Sequence, residues 1–262
     1  MTVTSVLPDY QTTPANLSDE TIQSYRSQGF VHIPGIISKQ EAETFGEEAN
    51  ALPDRVNSYS NSRVFTQLVN VWRNSDIMKK LTLHPNVGAI AEKLAGIPLR
   101  LWHDHILIKQ PHNEAPTEFH QDRPYWPFIK ARHTLSAWIA LVDVPVERGC
   151  MTFIPGSQQY DNLRPQDLRN AHDFLSLAPD LTWTKRVTVP LRAGDCTFHS
   201  GLCAHMATPN FTDDPRIAHV VIFMDAESTY SGNRHPVTDP LNLTEGQLLD
   251  GEMFPHVGAS RA

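Results

Sequence analysis

The sequence predicts a mainly β protein with a helical amino-terminal region, its strands closing into a sandwich or barrel. Three observations carry that expectation. Helix caps and helical spacing fill the first third of the chain, the apolar period changes from 3.6 to 2 near Leu99, and Pro, Gly, Asn and Asp punctuate the segments that follow.

Ser18 and Asp19 open a helix that carries Ile22 and Tyr25 and stops near Gly29. Gly29-Phe30-Val31-His32-Ile33-Pro34 reads as a short strand. Ser38-Lys39-Gln40-Glu41 is a capping box, in which hydroxyl and carboxylate each satisfy an amide of the first turn; Ala42, Phe45, Ala49 and Leu52 follow at helical spacing. Residues 53–64, rich in Asn, Ser and Arg, are expected to be a mobile loop. Ile77 to Leu81 and Pro85 to Leu94, ended by Gly96, give two more helices.

Beyond Leu99, strands are expected at Leu101 to Gln110, Thr134 to Val142, Met151 to Ile154, Val187 to Leu191, Asp195 to Ser200, Cys203 to Ala207 and Arg216 to Met224. Residues 157–185 lack strand rhythm and read as an excursion with a helix and a lid. Residues 226–262 read as an irregular tail with one short helix after Thr244, a further candidate lid.

With 262 residues, 40% hydrophobic and 19% charged, the chain can bury a full core, and residues 1–262 are expected to form one domain. Its parts are a helical region (1–98), a β core (99–225) and the tail (226–262). A net charge of -7 without long like-charge runs argues against nucleic acid or an anionic membrane as the main partner. Residues 1–16 lack a basic start followed by an apolar run, and no stretch approaches a membrane span, so a soluble, cytoplasmic protein is expected. A monomer is the default. Cys150, Cys196 and Cys203 suggest neither a disulfide framework nor a zinc site, and read as free thiols.

The chemistry centres on Phe119-His120-Gln121-Asp122. In an extended strand His120 and Asp122 point to one side and can offer an imidazole and a carboxylate to one metal. With 13 His and 17 Asp in the chain, about one His-x-Asp arises by chance, so the weight rests on partners elsewhere. His199 and His205 are the candidate third ligands. Arg216 begins the apolar run Ile217 to Phe223, where a buried guanidinium suits a bound carboxylate.

The set Phe119-His120-Gln121-Asp122, Trp138, and Gly194-Asp195 leading to His205, Asn210 and Arg216 resembles the phytanoyl-CoA dioxygenase family of Fe(II)/2-oxoglutarate oxygenases. The resemblance extends to Gly29-Phe30-Val31, to the helix opened by His84-Pro85, and to Gly149-Cys150-Met151-Thr152-Phe153-Ile154-Pro155-Gly156-Ser157, and so covers nearly the whole chain. It implies a double-stranded β-helix (jelly-roll, cupin-like) core and iron ligands His120, Asp122 and His205. It also implies that Arg216 meets the distal carboxylate of 2-oxoglutarate, with Trp138 beside the cosubstrate, Thr134 and Ser136 on the same strand face, and Ile106 as an apolar contact. Lys109 stands in a suitable strand without a secure match.

His199 then becomes a supporting histidine, and His103 and His105 a pocket wall. The implied reaction uses Fe(II), 2-oxoglutarate and O2 to oxidise a C-H bond, with succinate and carbon dioxide released. A carboxylate at Asp122 leaves no iron position for halide and so favours oxidation over halogenation. Tyr125, Trp126 and Phe128 are the expected substrate wall, while Arg123 is assigned to the surface. The acidic balance favours a small metabolite or natural-product intermediate over an acyl-CoA ester. A non-catalytic metal-binding or sensor barrel and a zinc hydrolase are the competing classes.

Overall fold

The amino-terminal elements begin and end where side chains can satisfy their open backbone groups. In the computed structural model, which describes residues 12–55, 60–61 and 64–258, α1 (Asp19–Gln28) is capped by Ser18, whose hydroxyl accepts from the Thr21 amide. It ends at Gly29 in the left-handed region, with φ of 82°. Strand β1 (Phe30–Ile33) follows, then α2 (Lys39–Ala51) with the Ser38/Glu41 capping box in place. Of the expected mobile loop at 53–64, residues 56–59 and 62–63 lie outside the described residues. The remainder is not simply loop: it holds the end of a 3-10 turn (Leu52–Asp54) and β2 (Ser60–Asn61). Next come β3 (Thr66–Val69), which the sequence pattern did not reveal, α3 (Asp76–Thr82) and α4 (Pro85–Ala95), closed by Gly96.

The remaining strands are β4 (Leu99–Lys109), β5 (Thr117–His120), β6 (Phe128–Ile129), β7 (Thr134–Ala140), β8 (Met151–Phe153), β9 (Val187–Val189), β10 (Cys196–Ser200), β11 (His205–Ala207), β12 (Arg216–Asp225) and β13 (Thr229–Tyr230). The 157–185 excursion contains α5 (Asp173–Leu177) between 3-10 turns. In the tail, a 3-10 turn at Gly251–Met253 stands where a short helix was expected after Thr244, its first residue Gly251 at φ of 76° discouraging a longer run, and another 3-10 turn, Asp239–Leu241, precedes it.

Among the described residues the larger sheet runs β1-β10-β7-β12-β4-β3-β2 and the smaller β5-β11-β8-β9. Adjacent strands are antiparallel, and the two sheets face one another as a jelly roll, the double-stranded β-helix. Alternation divides each strand between two layers. Leu135, Ala137 and Ile139 of β7 join Phe45, Ile90 and Leu94 of the helices in one apolar core. Trp138 and Ala140 face the other way, into a second core shared with Met151, Phe153 and Ala207 of the smaller sheet.

The register of β4 on β12 slips at Ile222/Phe223, where Ile222 pairs with His103 but Phe223 with Leu101. This bulge leaves Trp102 and His103 both in the inter-sheet layer, and from His103 onward the odd positions 103, 105 and 107 line the interior. The even positions look toward the helices. There Asp104 accepts from the Trp72 amide (3.0 Å) and the Thr82 hydroxyl (2.6 Å), fastening the helical layer to the sheet.

Gly194 turns the chain into β10 with φ of +92°, and a Cβ there would stand 2.6 Å from the Ile37 carbonyl oxygen. Gly194→Ala is expected to cost about 2 kcal/mol and lower the thermal midpoint by about 4 to 8 °C; calorimetry checks this.

His133 Nε2 shares a 2.6 Å hydrogen bond with the Tyr25 hydroxyl, and burial, aided by Arg26, pushes its pKa from 6.5 down to about 4. Between those values the unfolded chain takes up a proton that the folded one refuses, so this ring removes stability as the pH falls. Buried Asp104, raised to about 7, acts in the opposite direction. A comparison with His133→Gln isolates the histidine: urea unfolding from pH 7 to 4.5 should show the variant less acid-sensitive, by up to one proton per molecule.

Candidate active site

His205 of β11 pairs in register with His120 of β5, so two imidazoles from neighbouring strands stand side by side with ring centroids 4.3 Å apart. The carboxylate arrives differently from the expectation of one extended strand. β5 ends at His120, and Asp122 has helical backbone angles (φ -75°, ψ -42°). Its carbonyl accepts from the Tyr125 amide while the Arg123 amide donates to Gly201 O. A turn, favoured by Pro124, thus swings Asp122 back toward His120. Gln121 braces it, donating to the Tyr160 and Leu202 carbonyls at 2.7 Å each.

One ligand atom from each of His120, Asp122 and His205 fits within 4.8 Å of the others. Nδ1 of His120 lies 2.7 Å from Glu118 O, and Nδ1 of His205 lies 3.0 Å from Cys203 O. Each ring therefore carries a proton on Nδ1 and turns Nε2, the atom that can bind a metal, inward toward Asp122 Oδ1 at 3.6 and 3.7 Å. Burial is the main reason that the His205 pKa falls to about 3, with His120 adding to the shift, so this ring is neutral at ordinary pH. Burial pushes the Asp122 carboxyl up, and the surrounding imidazoles, His205 foremost, pull it well below its ordinary value only to the extent that they carry positive charge or an inward N–H, a part that a bound cation would take over. Two imidazole nitrogens and a carboxylate oxygen converging on one point fit a divalent cation.

The other carboxylate oxygen is held from behind. Ser136 Oγ donates to Asp122 Oδ2 at 3.1 Å, and His199 Nε2 lies 3.4 Å from it. His199 is therefore a support for the carboxylate. It lies outside the three-residue group that can hold a metal.

Arg216, at the start of β12, is buried beside this centre in a cavity of about 370 Å³ that the metal-binding residues also line. Its Nε has no hydrogen-bond partner, its Nη1 reaches only Leu107 O at 3.4 Å, and its guanidinium lies 5.3 Å from the Trp138 ring centre. No acidic side chain pairs with it among the described residues. Burial lowers its pKa to about 10, leaving it charged, and a buried unpaired cation of this geometry fits an anionic group brought by a ligand. Gly149 lies against it with φ of +80°; a Cβ there would crowd the Thr208 carbonyl oxygen at 3.1 Å and touch Arg216 Nε at an ordinary 3.5 Å. Lys109 is turned away, donating to Ala115 O and Thr208 O at 2.8 and 2.9 Å.

The cavity takes in Trp138, Tyr125 and Trp126 but not three other residues expected there. Ile106 lies on the helix-facing side of β4 in the apolar core, because its position is out of phase with His103 and His105; Leu107 occupies the cavity face. Thr134 packs against Gly201, whose amide donates to its carbonyl, and Ser136 holds the polar position two residues on. Phe128 sits behind the lining, against Trp102 and Trp126. Arg123 is not a solvated surface group: it lies over Phe128 and donates to the Trp126 and Phe128 carbonyls. The sequence reading missed Gln67 and Val69 of β3 and His235 of the tail, which complete the wall. His235 had no periodic neighbours to mark it.

Fold and site together define a jelly-roll protein with a 2-His-1-carboxylate metal centre. The phytanoyl-CoA dioxygenase family model matches residues 25–218, and the chain belongs to that family. Phytanoyl-CoA dioxygenase domain-containing protein 1 of Mus musculus is 28% identical over 158 residues, 58% of this chain and 54% of that protein. The chain thus spans about half the length of the curated relatives it matches. Among solved structures, the non-heme alpha ketoglutarate dependent carbocyclase SnoK from nogalamycin biosynthesis is 38% identical with a TM-score of 0.85, covering 94% of this chain and 98% of that one. The epimerase SnoN from the same biosynthesis is 39% identical with a TM-score of 0.80, covering 93% and 99%. A further SnoN structure, 38% identical with the same TM-score over the same shares, holds Fe3+, alpha ketoglutarate and nogalamycin RO.

Removing the Ser136 hydroxyl takes away the hydrogen bond to Asp122 Oδ2, leaving His199 beside that oxygen, without touching a metal-binding atom. Ser136→Ala is expected to weaken Fe(II) binding about tenfold, measured by anaerobic titration.

Proposed function

We propose that the protein is a non-haem Fe(II)/2-oxoglutarate-dependent oxygenase that oxidises a C-H bond of a small secondary metabolite, with release of succinate and carbon dioxide. The observation that carries this reading is one cavity that joins a converging His120/Asp122/His205 donor set to the buried guanidinium of Arg216, which no acidic side chain pairs among the described residues. A zinc hydrolase has use for the first feature and none for the second.

When bound, iron with 2-oxoglutarate and dioxygen supplies the oxidising power. The chain supplies position. Glu118 O and Cys203 O fix the two ring tautomers, and Ser136 and His199 hold Asp122 so that Oδ1 faces inward. Arg216 receives the distal carboxylate of 2-oxoglutarate through a charge-assisted pair, beside the Trp138 ring. Apolar Val220, Ile222 and Met151 exclude water from the same space, which strengthens that pair. Asp122, a carboxylate at the position where halogenases of this type have a small residue, favours oxidation.

The carbocyclase and epimerase, both of nogalamycin biosynthesis by name, support a natural-product substrate, with cyclisation and epimerisation beside hydroxylation as outcomes of C-H oxidation. The net charge of -7 supports a small-molecule partner over nucleic acid. No described helix is long and apolar enough to cross a membrane, which agrees with a soluble, cytoplasmic enzyme.

Fe(II) and 2-oxoglutarate added without oxygen should produce the visible charge-transfer absorption of a chelated keto acid. His205→Ala should abolish it, and Arg216→Ala should raise the half-saturating 2-oxoglutarate concentration on the order of a hundredfold. Absence of the band from the unsubstituted protein, or its survival in His205→Ala, contradicts the reading.

A further inference from the structure

The cavity carries polar groups that metal and cosubstrate leave unused: Gln67 of β3, His103 and His105 of β4, and His235 of the tail. Two of these imidazoles have readable tautomers. His235 Nδ1 accepts from the Val237 amide at 3.2 Å, so the proton of the neutral ring lies on Nε2 and that atom is a donor. The segment is fixed by Asp239, which accepts from the His235 amide at 3.0 Å and is itself paired with Arg234. His103 is the reverse: Nδ1 lies 3.3 Å from the Asp104 carbonyl and donates to it, leaving Nε2 as an acceptor. The two rings stand 6.1 Å apart between centroids and 33° from parallel. Burial keeps both neutral, lowering His235 to about 4 and His103 well below its ordinary value.

A donor beside an acceptor is the complement of a hydroxyl group, which both accepts and donates. The charged side chains lining the cavity, Asp122 and Arg216, belong to the metal and the cosubstrate in the reading above. A substrate carboxylate, phosphate or ammonium would therefore enter without a counter-charge, at a cost a neutral group avoids. Phe65, Tyr125 and Trp126 line the same space and offer flat apolar surface to a ring system.

We propose that His103 and His235 are a substrate-recognition pair that grips one hydroxyl of an uncharged, ring-bearing substrate, so that the enzyme selects hydroxylated ring compounds over ionised acids and CoA esters. This rests on the oxygenase reading. The two histidines act on the specificity of the site, not on its loading with iron or 2-oxoglutarate.

The test is anaerobic calorimetric titration of the Fe(II)- and 2-oxoglutarate-loaded protein with three probes of similar size: 1-naphthol, 1-methylnaphthalene and 1-naphthoate. The hydroxyl compound should bind about tenfold more tightly than either of the others. His103→Phe and His235→Phe should each reduce that preference to about twofold, and His235→Asn, which keeps a donor, should recover part of it. Naphthol binding that is absent or no tighter than that of the methyl compound, or a preference that survives both phenylalanine variants, overturns the proposal.

The chelate absorption recorded on the same samples separates the two ideas. Its retention with no hydroxyl preference removes only the recognition pair. Its loss from the unsubstituted protein removes the oxygenase reading, and the naphthol preference, titrated on the metal-free protein, still decides for or against the pair.

Discussion

Asp122 is an ionised carboxylate enclosed by His120, His199 and His205, with the Nε2 atoms of two of those rings aimed at one of its oxygens. Enclosing that charge away from water costs free energy unless positive charge shares the space. Each neighbouring interaction preserves the arrangement. Backbone carbonyls fix both ligand tautomers, Ser136 holds the outer carboxylate oxygen, and Gln121 ties the turn that carries the aspartate to three separate segments. The protein maintains a costly electrostatic arrangement for the cation that completes it.

The jelly roll is suited to this because it brings strand ends from both sheets to one interior. β5 and β11 of the smaller sheet supply the imidazoles in register, while β7, β10 and β12 of the larger sheet supply Ser136, Trp138, His199 and Arg216. The helical layer fills the far face of the larger sheet with an apolar core, so the cavity face is free to carry polar groups. The bulge opposite Ile222/Phe223 belongs to the same design, since without its change of phase Trp102 and His103 would not share the inter-sheet layer.

What the sequence revealed follows the length of the signal. Helices with start and stop signals at both ends, α1 between Ser18 and Gly29 and α4 between Pro85 and Gly96, and long strands such as β4 and β12, stood where period and punctuation put them. Separation of Asp122 from His120 by one residue was visible, but not that a turn, set by contacts with Gly201 and Tyr125, carries the carboxylate. Ile106 shows a parity error, since two-residue alternation from His103 and His105 leads to Leu107. Thr134 and Ser136 share a face, yet only one stands within reach of the aspartate, a distance that no pattern encodes. β3 and His235 escaped because a four-residue strand and an aperiodic tail are specified by their tertiary partners rather than by local sequence.

Arg216, buried without an acidic partner among the described residues, separates a metal-binding barrel from an oxygenase, because a barrel that kept a cation for stability alone would gain nothing from a buried guanidinium without an anion. The most direct measurement is the fate of 2-oxoglutarate in the iron-loaded protein under air, followed by isotope-resolved detection of succinate and carbon dioxide. The account predicts their formation in equal amounts, dependent on Fe(II) and O2 and lost in a variant without the Asp122 carboxylate. Intact 2-oxoglutarate after prolonged incubation, or succinate formed equally without Asp122, would contradict it.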